Sequence, residues 1–386
     1  YFSEDPYLAG KMAAGLIRGI QQNGISACPK HFAANSQELL RMSSDSVVDE
    51  RTFREIYLTG FEIAVKEGHP RSIMSSYNKI NGTYANDSYE LLTRILREEW
   101  GFDGFVVTDW GGSNDHVEGV KAGSNLEMPG TIGDSDREIF KALKDGRITE
   151  EVIDRRVDEL LDVILWTHPA TSRENTSFDE QAHHHLARTV AARTAVLLKN
   201  EDNILPLTNT QNINVFGWAS TNPCYGGTGS GALSDAYETT TLLGGLEDAG
   251  YKINTELTDF YKAYREDRPE VGMWAQDWTL PEPTADSYSD ELINNAKEFS
   301  DTAMVVITRV GGEGADLPTD VSKVTYTDNS ENYKDFEAGE HYLQLSQTEK
   351  DMLDLVCANF DNVVVVYNGA NTMELGFLND YKQIKG

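Results

Sequence analysis

A short apolar run that ends in an acid constrains this chain most. Phe105–Val107 is apolar, glycines flank it, and Asp109-Trp110 follows it closely. Runs of this length with β-branched residues and glycine boundaries are typical of buried parallel strands. An acid just beyond such a strand lies where α/β folds place their chemistry. The same position also suits an Asp that begins a turn or caps a helix, so position alone leaves both roles open.

Helices and strands alternate along the first part of the chain, which predicts a parallel sheet and the α/β class. Residues 1–165 are predicted to hold four strands, three of them at residues 25–28, 72–75 and 105–107. Helices between them are predicted to begin at three capping residues, Asp5, Asp49 and Ser88. An eight-stranded barrel needs twice as many strands. The region is therefore half a barrel or a smaller open sheet.

A second α/β region follows a polar, aperiodic stretch. Residues 166–185 are predicted to be a linker, and residues 186–386 a second domain. Apolar runs predict its strands near residues 213–217, 251–254, 303–308 and 363–366. Residues 260–290 are acidic and irregular, which predicts a long loop. Ser346, with Glu349 three residues later, predicts a helix that begins with a capping box.

The charge of the chain limits its partners. Its 386 residues include 63 Asp and Glu against 33 Lys and Arg, which gives a net charge of −30. A surface of this sign repels phosphates, so nucleic-acid binding is not expected. No apolar run reaches the length of a membrane span. We therefore expect a neutral or cationic partner, with neither nucleic acid nor membrane involved.

Neither a metal site nor a cofactor site is predicted. Cys28, Cys224 and Cys357 lie far apart and are odd in number, which favours structural thiols over a disulfide framework or a metal site. His183, His184 and His185 lack further ligands at usable spacing and favour a solvated helix start. The glycine-rich residues 226–231 neither directly follow a strand nor precede a lysine. They favour a tight loop over a nucleotide site.

Polar and aromatic side chains follow the predicted strands of the first region. In chain order they are Lys30-His31, Met74 with Tyr77, Asp109-Trp110 and Glu127-Met128. Hydrogen-bond donors, carboxylates and an indole at one end of a sheet suit a neutral, polyhydroxylated ligand. Lys30-His31 also fits a helix-entry turn, and Arg41 has a weaker independent case because most arginines lie on the surface.

The second region offers an acid of its own. Residues 309–316 directly follow a predicted buried strand, and glycines flank Glu313 on both sides. A mobile acid on a loop is what a general acid supplied by a second domain would need. The same stretch also fits a solvated turn with an incidental Glu.

Together these stretches resemble glycoside hydrolase family 3, specifically its β-glucosidase branch. The resemblance follows the family's order through residues 1–6, 30–35, 74–78, 95–112, 196–200, 205–207, 226–231, 309–316 and 366–371. It implies a partial (β/α)8 TIM-like barrel in residues 1–165 and an α/β sandwich domain in residues 186–386. It also implies that the barrel begins upstream of Tyr1 and that the second sheet stops before it is complete.

The resemblance further implies a retaining glycoside hydrolase that uses two carboxyl groups. Asp109 matches the family's nucleophile and Glu313 its acid/base. The positions that match the family's subsite for the terminal sugar are Lys30, His31, Arg41, Met74, Tyr77, Trp110 and Ser230. The implied partner is a small oligosaccharide or β-glucoside, with no cofactor.

The substrate within the family is left open. Trp110 after the nucleophile fits glucosidases better than xylosidases, and the Asp-His dyad of the hexosaminidase branch is absent. The sequence is also compatible with a β-xylosidase, another family 3 exo-glycosidase or a non-catalytic sugar-binding relative. No signal-peptide pattern opens the chain, whose ends both look cut, so the compartment, bacterial cytoplasmic or secreted, is open. We expect these 386 residues alone to be poorly active.

Overall fold

The chain divides into two compact units in a computed structural model. The units are Tyr1–Asp179 and Glu180–Gly386. The structure describes residues 2–174, 176–208, 210–226, 229–231, 233, 239–266, 281–314, 316–323, 335–369 and 371–386. Within these ranges, no helix combines the length and the apolar character that crossing a bilayer requires.

The first unit consists of helices around short strands. Its α-helices are α1 (Pro6–Gln21), α2 (Glu50–Thr52), α3 (Thr59–Gly68), α4 (His116–Ala122), α5 (Asp134–Lys144) and α6 (Glu150–Thr171). The π-helical segment Phe53–Leu58 joins α2 to α3, and a second π-helical segment is Glu90–Glu99. The strands are β1 (Asp45–Ser46), β2 (Ser72–Met74), β3 (Lys79–Ile80), β4 (Thr83–Tyr84) and β5 (Phe105–Val107).

The predicted capping residues do begin the helices. The Asp5 carboxylate accepts two N–H groups of the first turn of α1, at 2.8 and 3.1 Å. Asp49 accepts one at the start of α2, at 3.0 Å, and Ser88 Oγ accepts one at the start of Glu90–Glu99, at 3.2 Å. Each side chain satisfies an N–H that has no partner within its own helix.

The central strands β2 and β5 lie parallel, with Ser72 opposite Phe105 and Met74 opposite Val107. One further parallel bridge lies on each side, Phe32 with Ser75 and Leu126 with Val107. Phe32 and Leu126 therefore each join the central pair through a single bridge only, and the strand predicted at residues 25–28 is wrong.

Two contacts explain why residues 25–28 form no regular strand beside β2. Pro29 accepts the N–H of Met74 at 3.1 Å but has no N–H to return to the ladder. The Ser72 hydroxyl donates to the Ala27 carbonyl at 3.1 Å, in place of a backbone partner.

Gly104 fixes how closely β5 approaches its neighbour. A Cβ at this position would overlap the backbone carbonyl of Arg71, which precedes β2. Behind the strands lies the core of the unit, in which Phe32, Ile73, Val106 and Leu92 are fully buried. Because only glycine fits at residue 104, β5 can pair closely with β2 and end where Asp109 follows.

A small sheet with the order β1-β3-β4 was not predicted. β1 pairs parallel to β3, and β3 pairs antiparallel to β4. Each strand has only two residues and none of the six is fully buried, so no apolar run marks them in the sequence.

The linker predicted at residues 166–185 is largely helical instead. Helix α6 continues to Thr171 with Pro169 in its last turn, and α7 spans Glu180–Thr194. Only residues 172–179 lie between these two helices. The three consecutive histidines lie exposed near the start of α7, which agrees with a solvated helix start.

The second unit contains a parallel sheet with the strand order β7-β6-β8-β9. These strands are β6 (Asn212–Phe216), β7 (Lys252–Ile253), β8 (Thr302–Arg309) and β9 (Asn362–Gly369). All eight residues of β8 are buried, and β8 pairs with β9 along its whole length. Further helices are α8 (Leu242–Asp248), α9 (Thr255–Glu266), α10 (Asp290–Phe299) and α11 (Gln347–Asn359).

Helix α9 corrects part of the loop predicted at residues 260–290. Leu257 and Tyr261 are fully buried and Arg265 nearly so, at a spacing of four residues along one face of the helix. The charged residues Asp259 and Lys262 between them obscured this spacing in the sequence. Residues 267–280 of the predicted loop lie outside the described residues, whereas the capping box of Ser346 and Glu349 is present at the start of α11.

Candidate functional site

In the first unit, the backbone around Asp109 is held on one side by residues 126–128. The Thr108 N–H donates to the Leu126 carbonyl at 2.9 Å, and the Met128 N–H donates to Thr108 Oγ1 at 2.9 Å. Gly111 donates in turn to the Met128 carbonyl at 2.8 Å. The turn that presents Asp109 at the end of β5 is therefore fixed by backbone contacts before and after it.

Both carboxylate oxygens of Asp109 have neighbours. The backbone N–H of Trp110 donates to Oδ1 at 2.6 Å, and His31 Nε2 lies 3.2 Å from Oδ2. The side chains of His31 and Asp109 are 20% and 13% exposed, so the pair is oriented but still open to solvent. A carboxylate held in this way at a strand end is both oriented and accessible to a ligand.

Tyr77 and Arg41 join the same group of residues. The Tyr77 hydroxyl donates to the Trp110 carbonyl at 2.8 Å. The Arg41 guanidinium lies 4.9 Å from the centroid of the Tyr77 ring, a cation–π arrangement. Glu38, which was not predicted, forms an ion pair with Arg41 at 3.1 Å. An acid three residues before Arg41 is visible in the sequence and would have supported the prediction that Arg41 belongs to the site.

The remaining predicted residues of this unit lie close in the chain to this group. Trp110 is 64% exposed, which leaves its ring available for stacking on a ligand. Met74 ends β2, directly opposite Val107 of β5, and Lys30 is an exposed neighbour of His31. The structure thus shows direct contacts among His31, Asp109, Trp110, Tyr77 and Arg41, and places Lys30 and Met74 by chain and strand position.

Two residues near the predicted Glu127, His116 and Ser113, were not predicted as part of the site. His116 Nδ1 lies 3.8 Å from Glu127 Oε1 and 3.3 Å from Ser113 Oγ. His116 begins α4, and nothing in its local sequence distinguishes it from an ordinary first-turn residue. The group adds a titratable side chain beside the segment that supports the Asp109 turn.

In the second unit, Glu313 lies against the glycine-rich loop. The N–H and the hydroxyl of Ser230 both donate to Glu313 Oε2, at 2.7 and 2.6 Å. Gly229 has φ +64°, and a Cβ there would lie 2.5 Å from both Cβ and Oε2 of Glu313. The loop therefore accommodates a carboxylate, and its glycine is needed both for backbone conformation and for space.

The strand that leads to Glu313 ends in a buried arginine. Arg309 is 4% exposed and binds both oxygens of Glu349, at 2.6 and 2.7 Å. Its Nε donates to the Tyr342 carbonyl at 2.6 Å. Burial disfavours the charge, but the Glu349 carboxylate outweighs burial and raises the pKa of Arg309 above its ordinary value. The carboxyl end of β8 is thereby fixed to the start of α11.

Comparison with known proteins identifies relatives for both parts of the chain. Residues 1–163 match the model of the glycosyl hydrolase family 3 N-terminal domain, and residues 195–384 match that of the family 3 C-terminal domain. Thermostable β-glucosidase B of Acetivibrio thermocellus is 36% identical over 389 residues, which cover all of this chain and 46% of the relative. The exo-α-(1→6)-L-arabinopyranosidase of Bifidobacterium longum is 41% identical over 263 residues, 66% of this chain and 34% of the relative.

Solved structures agree with the fold. β-Glucosidase 3B from Thermotoga neapolitana, in complex with α-D-glucose, matches with a TM-score of 0.86 and 35% identity, over all of this chain and 53% of that chain. The family 3 β-glucosidase of Bifidobacterium adolescentis matches with a TM-score of 0.75 and 30% identity, over all of this chain and 50% of that one. The chain spans about half the length of these relatives. The matches confirm the predicted fold class, a barrel-like domain followed by a parallel-sheet α/β domain.

Proposed function

This chain belongs to glycoside hydrolase family 3, and we propose that it removes terminal β-D-glucosyl residues with retention of configuration. The observation that supports the proposal most is Asp109, presented at the end of β5 between the Trp110 N–H and His31. β-Glucosidases among its relatives, one of them solved with glucose, support the choice of sugar.

In the proposed mechanism the two carboxyl groups act in two steps. Asp109 attacks the anomeric carbon, while Glu313 gives its proton to the departing glycosidic oxygen. Glu313 then takes a proton from water, which displaces Asp109 from the covalent intermediate. His31 and the Trp110 N–H stabilise the Asp109 carboxylate and fix which way its oxygens point.

We assign the remaining predicted residues to recognition of the terminal sugar. Lys30, His31 and Arg41 can donate to hydroxyl groups, and the exposed Trp110 ring can stack on the apolar face of a pyranose. Tyr77 supports Trp110 through its carbonyl and carries Arg41 on its ring. Met74 supplies apolar contact at the end of β2, whereas Ser230, which the resemblance matches to the same subsite, contacts the Glu313 carboxyl in this structure.

A second candidate is an exo-acting arabinopyranosidase, because a relative with that activity is 41% identical over 66% of this chain. A β-xylosidase and a non-catalytic sugar-binding protein are two further candidates. The candidate enzymes differ in the sugar that is released, so a panel of nitrophenyl β-D-glucoside, β-D-xyloside and α-L-arabinopyranoside separates them by kcat/KM, and a sugar-binding protein would hydrolyse none of the three. The proposal expects the glucoside to have the highest value.

The role of Asp109 is tested by substitution in the full-length protein. Asp109→Gly is expected to lower kcat on the glucoside by about 10⁴-fold, because the covalent intermediate cannot form. Azide should restore part of the turnover and give a glucosyl azide of inverted configuration, since a single displacement replaces two. Asp103→Asn is the matched control, as its carboxylate is 72% exposed and pairs with Arg71. Turnover in Asp109→Gly equal to the control would overturn the assignment.

A further inference from the structure

We propose that Ser230 is a positioning residue for the acid/base carboxyl and not a contact for the sugar. It holds Oε2 of Glu313 with two donors, so that the transferable proton lies on Oε1. The proposal rests on the proposed function of Glu313 as acid/base. It deepens that function by naming the residue that orients the acid.

The contact has a geometry that favours one orientation of the carboxyl. Both donors of Ser230, its N–H and its hydroxyl, reach the same oxygen at 2.7 and 2.6 Å. The N–H can only donate, so Oε2 must accept at that position. Because both donors belong to one short turn, Gly229–Gly231, the carboxyl cannot rotate about its last bond without losing both contacts together.

These contacts decide which oxygen carries the proton in the acid form. In a neutral carboxyl group the carbonyl oxygen is the better acceptor, so two donors on Oε2 favour the hydroxyl at Oε1. During departure of the leaving group, the Oε1 proton passes to the glycosidic oxygen, which keeps the electron pair of the broken C–O bond. The carboxylate that results is stabilised by the same two hydrogen bonds, which are stronger to a charged acceptor.

The close approach of Glu313 is possible only because residue 229 is glycine. A Cβ there would lie 2.5 Å from Cβ and from Oε2 of Glu313, well inside contact distance. This steric observation is independent of the hydrogen bonds. It shows that the turn and the acid fit each other closely in two ways, through donors and through space.

Both partners of the contact are anchored to adjacent strands. The chain entering the loop is tied to β9, since Asn368 Oδ1 accepts the Cys224 N–H at 2.6 Å and its Nδ2 donates to the Cys224 carbonyl at 2.9 Å. Glu313 follows β8, which pairs with β9 as far as Arg309 and Gly369. The contact is therefore set by the sheet and not only by the loop.

A positioning role and a sugar contact predict different kinetics. A lost sugar contact weakens every glucoside alike, because the terminal glucose is the same in each. Lost orientation of the acid matters only where the leaving group needs protonation. The difference appears in kcat/KM, which reports the step in which the leaving group departs.

The experiment compares phenyl β-D-glucoside, a poor leaving group, with 2,4-dinitrophenyl β-D-glucoside, which departs with little protonation. The variants are Ser230→Ala, Ser230→Thr and Gly229→Ala in the protein as its gene encodes it. Ser287→Ala is the matched control, since Ser287 also carries an exposed hydroxyl in a short turn, Ala285–Ser287. Thermal unfolding of each variant verifies that it is folded.

Ser230→Ala and Gly229→Ala are each expected to lower kcat/KM for the phenyl glucoside by about tenfold or more, and for the dinitrophenyl glucoside by less than about twofold. Ser230→Thr, which keeps the hydroxyl, should retain most of the activity on both. An equal loss on both substrates, or no loss on either, would overturn the positioning role while leaving the hydrolase intact. If the unmodified protein hydrolyses neither, the proposed function has failed and this inference falls with it.

Discussion

Among the described residues of the second unit, Glu282 is the most deeply buried acid, and it lies away from the contacts of Glu313 described above. Its side chain is 3% exposed, and its Oε2 accepts the Trp218 N–H at 3.1 Å. Burial raises the pKa of Glu282 well above its ordinary value of 4.5. The carboxylates of Glu349 and Asp335 raise it further, and Arg309 opposes them. Glu282 is therefore neutral in the folded protein under conditions in which it ionises in the unfolded chain.

This difference makes the stability of the unit depend on pH. Because the folded pKa lies above the unfolded one, the stabilisation is complete below the ordinary pKa of 4.5 and is lost as the pH rises through the folded value. The ionisation of Glu282 should lower the free energy of unfolding of the unmodified protein between pH 5 and pH 8. Glu282→Gln keeps the shape of the side chain but cannot ionise, so its free energy of unfolding should fall less over the same interval. Urea unfolding of both proteins at pH 5 and pH 8 measures these free energies.

The matched control for that measurement is Glu291→Gln, an exposed acid in the first turn of α10. It should change the two free energies of unfolding nearly equally. An identical pH dependence in Glu282→Gln and in the unmodified protein would show that Glu282 titrates normally.

The residues that could be foreseen from sequence are those with a local signal. Asp109 follows an apolar run and Glu313 lies between glycines, so both are visible in a few residues. Glu38 and Ser113 were missed, and the contact of Ser230 with Glu313 joins residues 83 positions apart. No local pattern marks such a contact, because the fold brings the two side chains together. The assignment of roles therefore came from the family resemblance and not from spacing.

At the scale of elements, Arg309 joins β8 to α11. Removing one partner of a buried ion pair leaves a charge without compensation, so Arg309→Met should lower the free energy of unfolding by about 3–5 kcal/mol. The double variant Arg309→Met, Glu349→Leu should be destabilised by less than the sum of the single variants, because no buried charge remains. Urea unfolding of the two single variants and the double variant gives the coupling energy.

An exposed ion pair is the control for this cycle. Lys66 and Glu62 on α3 are 46% and 40% exposed, and Lys66→Met should cost no more than about 0.5 kcal/mol. Additive effects at Arg309 and Glu349 would contradict the view that the pair acts as one anchor.

Elements were foreseen where apolar spacing and caps agree. The strands β5, β8 and β9 contain continuous apolar runs, and α11 begins with a capping box. Each of these signals lies within a few consecutive residues and can be recognised from the sequence. Helix α9 was missed because charged residues lie among its buried positions. The strand predicted at residues 25–28 was wrong because Pro29 has no N–H to donate to the neighbouring strand. The sequence alone does not identify that neighbour, so this missing hydrogen bond could not be foreseen.

At the scale of the whole molecule, α1 has an apolar face that the described part of the chain leaves open. Its other face packs against α3, where a Cβ at Gly10 would lie 2.8 Å from Ile63. Apolar residues at every fourth position, Leu8, Met12, Leu16 and Ile20, are 49%, 51%, 53% and 37% exposed. A stripe of this kind attracts other apolar surfaces.

Polar residues at the centre of this stripe should reduce self-association of the 386-residue chain and its binding of apolar dyes. Met12→Gln combined with Leu16→Gln is expected to lower the fluorescence of bound anilinonaphthalene sulfonate and to reduce association in sedimentation velocity. Both substitutions keep good helix formers. Val47→Gln is the control, because Val47 is 82% exposed but lies outside the stripe. Equal dye binding and association in all three proteins would contradict the prediction.

The contacts of Tyr342 make the surface after β8 a natural place to insert foreign sequence. Tyr342 accepts Arg309 Nε through its carbonyl and the Val310 N–H through its hydroxyl, at 2.6 and 2.9 Å. The chain is thus held at Arg309 and Val310, and again at Tyr342. Doubling the length of a segment whose ends are pinned costs about 0.6 kcal/mol. A reporter peptide inserted directly after the exposed Lys323 would therefore leave the anchor of β8 in place, and with it the base of the Glu313 loop.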